Sequence, residues 1–230
     1  MSTITRDAPT EASTAPAPRR GWLVATAIGA LAATAVYIGT TVVGGAIVPG
    51  YSHLEDSVSS LTSPGAPFRT GLGAGFAVYN AAVALMAIGL AKTSRPAIPV
   101  RIASVLLVAG AVAGVLMVEP FPQDPMGAPL TASGVVHLVL AGVTALGLVA
   151  AAVLYGVAWR RDPLWRGIST LSIVAGAVIL VTGGVGAMFV TSPVFGLLER
   201  VTQLSFLAWF ASIGVVAILA ARRSGRPAAA

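Results

Sequence analysis

Residues 132–159 read ASGVVHLVLAGVTALGLVAAAVLYGVAW, and the fold turns on whether this run is the core of a soluble domain or the span of a membrane. Its 28 residues include no Asp, Glu, Lys or Arg. A hydrocarbon core takes roughly 20 apolar residues as helix and only about half as many as a tilted strand. In lipid the backbone must also satisfy its own hydrogen bonds. The run therefore reads as a transmembrane helix. Five more runs of the same character lie at 22–48, 71–91, 100–118, 168–190 and 201–221.

Composition agrees. The 230 residues are 56% hydrophobic and 10% charged, with a mean hydropathy of +0.88, too apolar for a soluble domain of this size. The expected fold is all-α and polytopic: six transmembrane helices as three helical hairpins, spanning 21–223. Loose likenesses among the hairpin loops, TSPGAP at 62–67, MGAP at 126–129 and TSP at 191–193, hint at a repeat. The tract 1–20 is rich in Pro, Ala, Ser and Thr and is expected to be a disordered tail, as is 224–230. A net charge of +6 does not point to nucleic acid, because the basic residues sit singly or in short groups between apolar runs. With no cysteine, disulfides, thiolate nucleophiles and thiolate metal sites are excluded.

If six helices alternate, twelve basic and three acidic residues fall on one side, and two basic and five acidic on the other. That excess predicts a plasma-membrane protein with both termini cytoplasmic. Trp22, Trp159 and Trp165 fall at the basic boundary, where indoles anchor spans. The acidic, outer side collects Glu55, Asp56, Glu119, Asp124 and Glu199 together with both histidines.

That side opens with YSHLEDSVSSL at 51–61. Ser52 followed by Glu55 has the capping-box spacing. Tyr51, Leu54, Val58 and Leu61 recur at helical spacing. A short amphipathic surface helix over 52–61 is the expectation, ended by SPGAP. The second outer loop, EPFPQDPMGAPLTASGVVH at 119–137, is stiffened by four prolines around Asp124. His137 lies about five residues inside its span, roughly 8 Å deep at helical rise. Polar groups there need partners, and the expected ones are Asp124 first, then Glu199, Arg200 or the polar face of 51–61. The sixth span opens with Glu199, Arg200, Thr202, Gln203 and Ser205. Asn80, in the second span, is expected to hydrogen-bond a neighbouring helix. The glycines of TGLGAGF and TGGVGAMF belong where helices pack closely.

The order YSHLEDSVSSLTSPGAP, then PFPQDP with a histidine just inside the next span, then GLLERV, resembles the bacterial and archaeal integral-membrane family catalogued as domain of unknown function 998. The matching positions are Tyr51, Ser59, Leu61, Phe121, Pro122, Asp124, Pro125, His137, Glu199 and Arg200. Where such proteins show an acidic residue after the serine, this chain has Ser60. The resemblance implies six spans and no established activity.

Residue chemistry and resemblance together mark a polar site at the outer mouth. His137, Asp124 and Glu199 are the catalytic candidates, and Arg200, His53, Asp56, Ser59, Arg69 and Gln203 the binding candidates. The leading expectation is a protein that holds a lipid or other amphiphile, or serves as an accessory subunit to a membrane-protein partner or a second copy. The alternatives are a membrane-embedded hydrolase or transferase using a His/carboxylate site, with zinc as a conceivable metal, and a small transporter.

Overall fold

A computed structural model describes residues 20–224. The expected tails lie outside the described residues except for Arg20 and Ser224. The chain is an integral membrane protein, and six helices among the described residues are each long and apolar enough to cross a membrane. These are α1 (Arg20–Ile47), α2 (Arg69–Thr93), α3 (Ile98–Val118), α4 (Ala132–Trp159), α5 (Ser169–Met188) and α6 (Phe195–Arg223). No strand occurs among the described residues.

Each helix packs on its chain neighbours, and α6 returns to α1, so the three hairpins close into a ring. The loops after α1, α3 and α5 share one end, called here the acidic end, and those after α2 and α4 share the basic end. Small residues bring backbones together. A Cβ at Gly29 would lie 2.6 Å from the Met86 amide nitrogen of α2, and one at Gly156 would lie 2.9 Å from the Ser169 carbonyl of α5. Gly73 abuts Val118 and Gly75 abuts Thr40, as the TGLGAGF pattern predicts.

The expected spans and the helices coincide except at α6, which starts six residues before the hydropathic run. Its first turns are polar because they face the bundle interior, a direction that hydropathy does not report.

The basic-end half is closely packed. Tyr155, Trp159, Trp165 and Trp209 are all at most 1% exposed. Trp159 stacks between Tyr155 and Trp165, with ring centroids 4.8 and 5.1 Å away. Its indole donates to Ser94 at 3.0 Å, Trp209 donates to Ser172 at 2.9 Å, and Tyr155 and Ser104 hydroxyls lie 2.6 Å apart. Trp159, the last residue of α4, and Trp165, just before α5, do lie at the expected boundary, but their rings are buried in the bundle, which corrects the expectation that they anchor it in the interface.

The segment 52–61 is also corrected. It forms a turn followed by a 3-10 helix, Val58–Thr62, rather than one surface helix. Neighbouring elements take the bonds that a continuous helix would use. The Leu54 carbonyl accepts from Leu197 N at 3.0 Å, Val58 N donates to Glu199 at 2.8 Å, and the Asp56 carbonyl accepts from Arg200 at 2.9 Å. Ser52 does cap the turn, accepting from Leu54 N and Glu55 N, but Asp56 supplies the return bond, accepting from Ser52 N at 2.7 Å. Of the expected apolar stripe, Val58 and Leu61 are buried while Leu54 is 56% exposed.

Candidate functional site

Arg200, one turn into α6, locks the first acidic-end loop onto that helix. Its Nε donates to His53 Nδ1 at 3.2 Å, and its Nη1 donates to the carbonyls of Asp56 and Gly196 at 2.9 and 2.8 Å. Its Nη2 donates to the Tyr51 hydroxyl. A Cβ at Gly196 would lie 2.5 Å from the Asp56 carbonyl oxygen, so only glycine allows this approach. The loop in turn caps α6 through Leu54. Burial pushes the Tyr51 phenol up to about 12 despite the opposing Arg200 charge, which keeps it protonated, and it donates to the Ser57 carbonyl at 3.1 Å. Burial and then the Arg200 charge hold His53 below its ordinary range, consistent with a neutral ring accepting at Nδ1.

Arg69 is a second lock. It pairs with Glu119, the one ion pair among the described residues, and donates through Nε to the Thr62 carbonyl at 3.0 Å. Asp124 is the third. It does not meet His137, contrary to expectation; its two carboxylate oxygens accept from the amide and hydroxyl of Thr131, both at 2.8 Å. Thr131 caps α4 by accepting from Gly134 N at 3.2 Å. A short loop carrying a carboxylate beside a helix start satisfies the nearest orphan donors first. Asp124 thus acts on the site through the start of α4.

His137 is 4% exposed on the second turn of that helix. Its Nδ1 lies 3.2 and 3.0 Å from the carbonyls of Met117 and Phe121. Carbonyls only accept, so Nδ1 carries the proton, and in the neutral ring Nε2 presents a lone pair. Ser59 Oγ lies 3.2 Å from Nε2. The 3-10 helix that carries Ser59 is pinned by Glu199 at Val58 N and by Ser57, which donates to Gln123 at 3.1 Å.

Beneath this pair, side chains from all six helices line a cavity of about 250 Å³. Its wall is mainly apolar and runs down to Leu148 and Phe210. Ser59, His137, Glu199 and Gln203 border it; Asp124, His53, Asp56, Arg69 and Arg200 do not. The nine candidates therefore divide into four that face a cavity and five that hold the loops over it.

Some wall residues escaped the sequence reading. Tyr37 and Tyr79 stack edge-on at 4.9 Å, and their hydroxyls, like the Gln203 amide, have no hydrogen-bond partner among the described residues. The Thr144 hydroxyl is buried and unpartnered. The available signal was two phenols inside apolar spans, where a lone polar group is costly. Asn80 also faces the cavity, packed against Gly114; its amide donates to Phe76 of its own helix at 2.9 Å, which corrects the expected interhelical bond. No group of three His, Cys, Asp or Glu side chains that could hold a metal forms among the described residues. The two histidines face different partners, and this removes the zinc arrangement.

The family model described as Protein of unknown function (DUF998) matches residues 28–216. The chain belongs to that family. The match takes in α2 to α5 entire, most of α1 and α6, and every residue of the cavity wall. Neither a curated protein nor a solved structure matches the chain.

Proposed function

We propose that this DUF998 protein holds a single-chain amphiphile, with its polar end at the acidic mouth and its tail between the helices. The observation that carries this reading is the cavity itself: a mainly apolar wall with His137, Ser59, Glu199 and Gln203 near the acidic end and a few unpaired hydroxyls, Thr144 among them, further down. Small-molecule sites run from roughly 300 to 1,000 Å³ with apolar linings and a few placed polar groups. About 250 Å³ suits one chain better than two. A transporter would need free polar groups through to the opposite face, and the packed aromatic layer at Trp159 and Trp209 offers serines already bonded to its rings. Arg69 and Arg200 serve less well as headgroup ligands, since protein acceptors already occupy them.

The basic end is read as cytoplasmic in the plasma membrane, from the twelve-to-two division of basic residues. A cysteine at exposed Ala128 should react with an impermeant reagent in intact cells, and one at Ser224 should not; the reverse pattern inverts the orientation.

The binding test uses purified protein and a fluorescent single-chain fatty acid. Wild type should bind it. Ala141→Phe, which fills the cavity one turn below His137, should weaken binding at least about tenfold, because the tail loses its apolar contact. Unchanged affinity in that variant would place the ligand elsewhere.

A further inference from the structure

Among the hydroxyls of the 57–62 segment, Ser57 donates to Gln123, Ser60 donates to the Ser57 carbonyl, and Thr62 donates to the Ser59 carbonyl. Many Ser and Thr residues of the spanning helices likewise donate to the carbonyl one turn back, as Thr26, Ser104 and Ser205 do. Within 57–62 Ser59 differs: among the described residues its one partner is the imidazole of His137. Two backbone carbonyls fix that imidazole in the tautomer whose free lone pair faces the serine. A serine within hydrogen-bond reach of a base that a third group orients is the arrangement of an activated nucleophile. Both residues border the apolar cavity near its mouth.

We infer that Ser59 and His137 form a nucleophile–base pair that cleaves a carboxylic ester of the amphiphile held in the cavity. The inference rests on the amphiphile-binding reading and adds the chemistry of the bound group. Ser59 Oγ attacks the ester carbonyl carbon while its proton passes to His137 Nε2. The carbonyl electron pair moves to oxygen and returns as the acyl–oxygen bond breaks. The departing alkoxide takes the proton back from Nε2 and leaves as the alcohol. Water entering from the acidic end gives a proton to Nε2 and attacks the acyl-serine, releasing the carboxylic acid and restoring both residues. The carbonyls of Met117 and Phe121 stand where a triad has its carboxylate: they hold the ring in place and turn their negative ends toward the imidazolium that forms. Glu199 is a positioning residue in this scheme, because its bond to Val58 N fixes the backbone adjoining the nucleophile. The tail reaches toward Leu148 and Phe210, which selects a single acyl chain over a bulky acid.

The test uses full-length protein in detergent with an alkyl fluorophosphonate, which phosphonylates activated serines. Wild type should be labelled, with the adduct mapping to Ser59 by peptide mass spectrometry. Ser59→Ala should lose the label and still bind the fluorescent fatty acid, so that chemistry and binding fail separately. Ser60→Ala should label as wild type does. His137→Gln should slow labelling by about a hundredfold or more, the usual contribution of a general base. Protein that binds the fatty acid but takes no label would overturn the assignment, as would a label that survives Ser59→Ala.

Discussion

The two halves of the bundle are built from the same helices and spend their polar residues in opposite ways. Toward the basic end, Ser94, Ser104 and Ser172 are buried, and each meets an aromatic side chain at 2.6 to 3.0 Å. Toward the acidic end, Tyr37, Tyr79, Thr144 and Gln203 face a void without partners among the described residues. Unpaired polar groups in a low-dielectric interior cost free energy. Most are satisfied at the basic end, where the Trp165 indole nitrogen is the buried exception, and several are left open at the other, so the first half contributes stability and the second has room for a ligand.

The largest expected effect tests that asymmetry. Trp209→Ala should destabilise the protein by about 3–5 kcal/mol, the usual range for a large aromatic removed from a tight core. Phe76→Ala, at the cavity wall, should cost well under that, because its ring already borders empty space. Thermal unfolding in detergent reads both, and equal losses would erase the distinction.

Next in size is the loop lock. Gly196→Ala pushes a methyl group against the Asp56 carbonyl and should lift residues 51–60 from α6. Hydrogen exchange should accelerate there by at least about tenfold while amides around Trp159 stay protected. Arg200→Ala should show the same pattern, through loss of its bonds to the loop rather than through steric conflict.

Asp124→Asn should cost about 1 kcal/mol, the order of a helix cap, seen as faster exchange at the start of α4. Smallest is a pH effect at His53. Its ring titrates below the ordinary 6.5 in the folded chain, so the folded state binds fewer protons than the unfolded one in that window. The bond from Arg200 is fully present above about pH 6.5 and is lost as pH falls through the depressed folded value. Exchange at 51–56 should rise on acidification, and His53→Ala should remove that rise.

The six helices were legible because lipid leaves one backbone solution for a long apolar run. The candidate site was legible as a region, since scarce polar residues among Ala, Val and Leu can only be few and placed. The division of labour within it was not. Asp124 and His137 are 13 residues apart, and no periodicity tells that the carboxylate turns to Thr131 instead. Arg200 reads as an anion ligand until neutral acceptors are seen around its guanidinium. The capping spacing of Ser52 and Glu55 is genuine, yet α6 diverts the carbonyls that would have continued the helix. Tyr37 and Tyr79 were overlooked because a phenol in a span counts as apolar until its hydroxyl has to be placed.

On the proposed reading, a chain occupies the space inside the ring. A structure of the protein with a fatty acid brominated near its tail tests this most directly through the anomalous signal of bromine. A bromine peak is expected among Leu107, Leu148 and Phe210, with the carboxylate end toward Ser59 and His137. Bromine found only on the lipid-facing outer surfaces, with the cavity filled by ordered water, would contradict it.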